Sequence, residues 1–138
     1  MPTTPTTAPF PAAAPFGVSR IGQIAITIHD IDRATAFYRD ALGMKMLFAV
    51  PGMSFFDAAG IRIMLAMPST PDQDHPGSQI YFTVDDIHAA YETLKGRGVS
   101  FIDRPHFIAP LAKADLWITS FHDLDKNTLS LMSEIPRT

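Results

Sequence analysis

The 138-residue chain contains no cysteine. That excludes a disulfide framework, a thiolate nucleophile and a cysteine metal site, and it suits a reducing cytoplasmic setting. No segment approaches the roughly 20 consecutive apolar residues of a membrane-spanning helix. Clusters of Lys and Arg are also missing, and with a formal net charge of −3 and a pI near 5.9 the chain has no long-range attraction for nucleic acid or anionic lipid. Glycine-rich phosphate loops, a Ser/His/Asp set and the H-x-E-x-H or HExxH spacings of metal sites do not occur. What remains is ordinary for one globular domain: 46% hydrophobic and 18% charged residues.

The leader MPTTPTTAPFPAAAPFGVSR holds five prolines and has neither a basic n-region nor a continuous apolar h-region. It is therefore a poor secretory signal, and disorder is expected over residues 1–18. A second break, MPSTPDQDHPGS, gathers Pro, Gly, Ser and Asp between apolar strands. It divides a single domain, 19–134, into module one (19–67), a linker (68–78) and module two (79–134).

The two halves repeat one another. QIAITIHDIDRA, from Gln23, aligns with QIYFTVDDIHAA, from Gln79, and six of the twelve positions are identical. Each copy runs from an alternating strand to an Asp, Asp30 or Asp86, placed to cap a helix. Helix one, about Ile31 to Leu42, stops at Gly43. Helix two, about Ile87 to Arg97, stops at Gly98. Further strands are expected at Met46–Val50, Ser54–Ala58 and Arg62–Met67, and at Phe101–Asp103, Trp117–His122 and Thr128–Met132. Each half thus reads β-α-β-β-β, an α+β fold.

Strand alternation assigns faces. Ile24, Ile26 and Ile28 must meet the first helix, as Ile80, Phe82 and Val84 must meet the second. Gln23, Ala25, Thr27, Arg62, Met64 and Ala66, with Gln79, Tyr81, Thr83, Thr128, Ser130 and Met132, fall on the opposite side. That mixture of amide, hydroxyl, guanidinium, thioether and phenol suits a concave ligand site better than a second dry core.

Three segments, QIAITIHDIDRATAFYRDALGMK, QIYFTVDDIHAAYETLKGRGV and FHDLDKNTLSLMSE, resemble the vicinal oxygen chelate superfamily of glyoxalases, bleomycin resistance proteins and extradiol dioxygenases. The last segment looks like the family's usual DPDGN ending. The resemblance covers Arg20 to Glu134 and implies paired βαβββ modules, a cup-shaped eight-stranded sheet with helices outside, and a homodimer. In metal-dependent members four helix-opposite positions supply ligands. Here they fall on Gln23, Met64, Gln79 and Ser130, two amides, a thioether and an alcohol, with no anion and no imidazole to compete with water. No metal and no other cofactor is expected.

Several residues are candidates beside packing roles. A guanidinium turned into a cup needs an anion, so Arg62 is a candidate ligand contact. His106, in RPHFIAPL, and Tyr81 are candidate acid–base groups. Trp117 and Phe121 share one strand face, as core aromatics or as a stacking wall for a planar ligand. With Thr27 and Met132 these complete the candidate set. The leading expectation is a metal-free cup binding a small organic molecule. A metal-independent isomerase or lyase acting next to a carbonyl, and a metal-dependent glyoxalase-like or dioxygenase-like enzyme with other ligands, are the alternatives.

Overall fold

In the computed structural model, which describes residues 16–137, each module opens with a strand that runs into an Asp-capped helix. Most of the leader lies outside the described residues; Phe16 to Gly22 is exposed and carries no regular structure. β1 (Gln23–Thr27) leads to α1 (Ile31–Ala36), where the Asp30 carboxylate accepts from the Arg33 N–H at 3.1 Å. β5 (Ile80–Thr83) leads to α2 (Ile87–Gly96), where Asp86 accepts from the Ala89 N–H, also at 3.1 Å. Both carboxylates satisfy a donor that the first turn leaves without a helical partner.

α1 continues as a wider π-type turn over Phe37–Ala41, in which the Leu42 N–H donates to the Phe37 carbonyl at 3.0 Å. Phe37 and its neighbour Tyr38 are both buried there. Gly43 and Gly98 then reverse the chain with φ of +71° and +90°, a conformation only glycine takes without strain.

Module one continues with β2 (Lys45–Val50), β3 (Met53–Ala58) and β4 (Ile61–Ala66), giving a four-stranded sheet of order β1-β4-β3-β2 with β1 and β4 parallel. Module two continues with β6 (Ser100–Phe101), β7 (His106–Pro110), β8 (Ala114–His122) and β9 (Thr128–Pro136). Its order is β5-β9-β8, with β6 and β7 both paired to β8. The expected pair of βαβββ modules is therefore present, and β6 with β7 takes the place that β2 holds in module one.

The strand count differs from the expected eight. The segment from His106 to Asp115 is not among the expected strands, yet His106–Pro110 forms β7, an edge strand that ends at Pro110. The gap between β6 and β7 is held by Asp103, whose carboxylate accepts from the Thr119 hydroxyl and the Ser120 N–H, each at 2.9 Å. A side chain thus replaces strand pairing for a few residues. β8 and β9 also run longer than expected, pairing from His122↔Thr128 to Ala114↔Pro136. Both outer strands carry a register shift, at Leu47 in β2 and at Ile108 in β7, and both bulged residues are exposed.

The helix-facing sides share one core, with Ile26, Ile28, Tyr38, Phe56, Ile63 and Leu65 from module one and Ile87, Phe121, Leu129 and Leu131 from module two. No strand of one sheet pairs with the other among the described residues. Polar ties join the modules instead. The Tyr38 hydroxyl donates to Asp123 Oδ2 at 2.7 Å, Asn127 Nδ2 donates to the Thr27 carbonyl at 2.9 Å, and Arg97 Nη1 donates to the Ala41 carbonyl at 3.1 Å. Among the described residues no helix is long and apolar enough to cross a membrane.

Candidate functional site

On the helix-opposite face of module one, cross-strand register sets Gln23 beside Arg62 and Ala25 beside Met64. Arg62 Nε donates to Gln23 Oε1 at 2.6 Å, and Gln23 Nε2 lies 3.6 Å from the Met64 sulfur. The guanidinium carbon sits 5.5 Å from the centroid of Phe55, whose ring stacks on Phe48 at 4.3 Å and 19°. These residues form a ladder across β2, β3, β4 and β1, apolar at one end and cationic at the other. Thr27 lies on the same face, but its hydroxyl donates to the Gln73 carbonyl at 2.9 Å and so holds the linker.

On the corresponding face of module two, Gln79 Nε2 donates to Ser130 Oγ at 2.7 Å, and Ser130 Oγ lies 2.7 Å from Ser120 Oγ. Ser130 is fully buried beneath this chain, so it positions Gln79 rather than meeting a ligand. Tyr81 pairs with Ser130 in register, and its side chain is 47% exposed on the open side of the sheet. Met132, half-buried, shares the next row with Thr83, Ile118 and His106. His106 Nδ1 lies 2.7 Å from the Arg104 carbonyl. A carbonyl only accepts, so Nδ1 is the donor in this contact, and Nε2 has no protein partner among the described residues.

Trp117 and Phe121 do share a strand face, and it is the helix side. Phe121 pairs with Leu129, is fully buried and packs on Phe101, while the Trp117 ring lies 5.2 Å from His88 of α2. Neither reaches the helix-opposite face; Phe121 instead lines an apolar cavity on the helix side. Alternation links the two residues to each other but assigns their side only once the register with β9 is known.

His29 was not singled out by sequence. It lies just after β1, between two carboxylates, with Nε2 2.6 Å from Asp74 of the linker and Nδ1 2.8 Å from Asp125 of the β8–β9 turn. Hydrogen bonds to Asp74 and then Asp125 raise its pKa above the ordinary 6.5, against a smaller opposing effect of desolvation. No local pattern announces this, because its partners lie 45 and 96 positions away.

The four positions that would hold a metal thus form two pairs, Gln23 with Met64 and Gln79 with Ser130, each closed by contacts within its own module. Gln23 Oε1, the oxygen a cation would need, already accepts from a guanidinium. The donor set carries no charge to offset another cation, so these residues do not fit a divalent metal. Among the described residues no three His, Asp or Glu side chains gather to hold one elsewhere.

An apolar cavity of about 340 Å³ lies on the other side of the sheets, between Leu42 and Met44 of module one and Phe82, Val84 and Leu94 of module two. The helix-opposite faces themselves stand open, with Gln23, Arg62, Gln79, Tyr81 and His106 all exposed.

The same two-module architecture occurs in solved structures. A member of the glyoxalase/bleomycin resistance protein/dioxygenase superfamily from Sphaerobacter thermophilus is 29% identical, with a TM-score of 0.70 over 85% of this chain and 98% of that one. A lactoylglutathione lyase from Agrobacterium tumefaciens matches at 22% identity, TM-score 0.68, over 84% of this chain and 94% of its own. A glyoxalase/bleomycin resistance protein/dioxygenase from Nocardioides matches at 20%, TM-score 0.66, over 86% and 87%. At these last two identities the likeness concerns the fold alone. The sequence profile of one family spans residues 20–131, both repeats and the first residues of the closing strand. With the repeated Asp-capped units, the matching strand order of the two sheets and that profile in agreement, the chain belongs to the Glyoxalase/Bleomycin resistance protein/Dioxygenase superfamily.

Proposed function

We propose that the protein binds a small, partly apolar organic molecule on its helix-opposite faces without a divalent metal. The observation that carries this reading is the Arg62–Gln23 hydrogen bond of 2.6 Å, which puts a fixed positive charge where a metal ligand would otherwise stand. Gln23, Arg62 and Met64 on one module, with Gln79, Tyr81 and Met132 on the other, supply polar and apolar contacts, and Ser130 supports Gln79 from below. The assembly we favour is a homodimer, because the open faces and the exposed Phe48, Val50, Met53, Phe107 and Ile108 leave much apolar sheet surface in one chain uncovered. A cytoplasmic location fits the lack of cysteine.

A second reading is metal-independent proton transfer next to a carbonyl. It is favoured by His106, whose free Nε2 lies on the same face as Tyr81. Turnover of a carbonyl substrate in chelator, lost on His106→Ala or Tyr81→Phe, would establish it.

The primary test is elemental analysis of untagged protein purified without chelator, offered Zn²⁺, Ni²⁺, Mn²⁺ or Fe²⁺ and then dialysed. We expect far less than one metal per chain. One tightly held metal per chain would overturn the reading and require the ligands to be reassigned.

A further inference from the structure

We infer that the molecule bound on the module-one face is an organic anion, a carboxylate or phosphate on a planar apolar body, held head-first by Arg62. This inference rests on the site reading above and names the ligand's chemistry. The ion pairs of the described residues join His29 to Asp74 and Asp125, Arg39 to Asp40, and Arg137 to Asp115; none includes Arg62. Asp57, directly opposite Arg62 in the β3–β4 register, accepts from the Gly60 N–H at 3.1 Å and lies beyond ion-pair distance of the guanidinium. Nor is Arg62 a loose surface side chain. Gln23 fixes Nε at 2.6 Å and the Phe55 ring lies under the guanidinium, so its plane is set before any ligand arrives.

With Nε engaged, the two Nη groups have no protein partner among the described residues. Paired donors on a planar fork match the two oxygens of a carboxylate or phosphate better than a single acceptor. Beside the fork the stacked Phe48–Phe55 pair extends toward β2, and Phe48 is 45% exposed. An anion seated on Arg62 would lay its apolar body on that ring. A neutral apolar molecule would leave the cation without a partner, and an inorganic anion would leave the aromatic shelf uncovered. Shelf and charge together select an amphiphilic anion.

The test is isotope-detected NMR titration of the full chain with benzoate, phenyl phosphate and the neutral benzyl alcohol, repeated on Arg62→Gln, Arg62→Lys and Phe48→Ala. We expect at least one of the two anions to shift residues of β1, β3 and β4, the alcohol to bind about tenfold or more weakly, and Arg62→Gln to erase that preference. Arg62→Lys should keep part of it, and Phe48→Ala should weaken anion and alcohol alike. Preference for benzoate over phenyl phosphate, or the reverse, identifies the head group. If alcohol and anions bind this face equally and Arg62→Gln changes neither, the anion inference fails while the site reading stands. If probes bind only elsewhere, or if neither anion shifts the face, both fail. Loss of self-association in Arg62→Gln without any probe binding would overturn the inference by making a second copy the partner of this cation.

Discussion

The Tyr38 hydroxyl, at the end of the first module's helix, donates to the Asp123 carboxylate of the second module at 2.7 Å in a fully buried setting. Asp123 is the hub of the junction. Its Oδ1 accepts from the Asp125 and Asn127 N–H groups and its Oδ2 from Asn127 Nδ2, each at 2.8 Å. Burial first, and then the charge and hydrogen bond of Asp123, hold the Tyr38 phenol well above its ordinary pKa of 10, so it stays a neutral donor.

Removing one donor from this hub should therefore cost less than removing the hub. Tyr38→Phe is expected to lower stability by about 1–2 kcal/mol, since Asp123 keeps its other partners. Asp123→Ala strands a buried hydroxyl and several N–H groups and should cost about 3 kcal/mol or more. Urea unfolding of both variants checks the order; equal losses would mean that the hub contributes nothing beyond the tyrosine contact.

The His29 bridge predicts a pH dependence whose sign follows from its raised pKa. A group whose pKa is higher folded than unfolded stabilises the fold fully below the unfolded value, near 6.5, and loses that contribution as pH rises through the folded value. The stability difference between wild type and His29→Gln should be largest below 6.5 and shrink above it. Thermal melts across this window, with an NMR titration of the His29 ring, test it. A difference that grows with pH would contradict the bridge. The pair is solvent-exposed, so the effect should also weaken in high salt.

Lys126 occupies the turn between β8 and β9 with φ of +66°, a region that glycine enters without a Cβ penalty. The turn reads DLDKN, with the lysine at the left-handed position. Lys126→Gly should relieve the left-handed strain but gives back part of the gain through a more flexible unfolded chain. A net stabilisation of about 0.5–1 kcal/mol is expected in urea unfolding, provided the turn keeps the Lys126 N–H to Asp123 carbonyl bond of 3.2 Å. A destabilised variant would show that the lysine side chain contributes to the turn.

Much of the architecture was already written in the chain. The QIAITIHDID and QIYFTVDDIH repeats, the capping Asp30 and Asp86, and the stops at Gly43 and Gly98 determine two like strand-to-helix units, because caps, periodicity and glycine turns act over a few residues. Alternation likewise placed Gln23, Arg62, Met64, Gln79, Tyr81 and Ser130 opposite the helices, since the period of a strand is a local property. Tertiary structure decided what has no local signal. It turned a proline-bearing loop into β7, sent Trp117 and Phe121 to the core, buried Ser130, and bent Arg62 away from Asp57 onto Gln23 and Phe55. Register, burial and the choice of partner depend on which distant strand arrives alongside, as they do for His29 and Asp125.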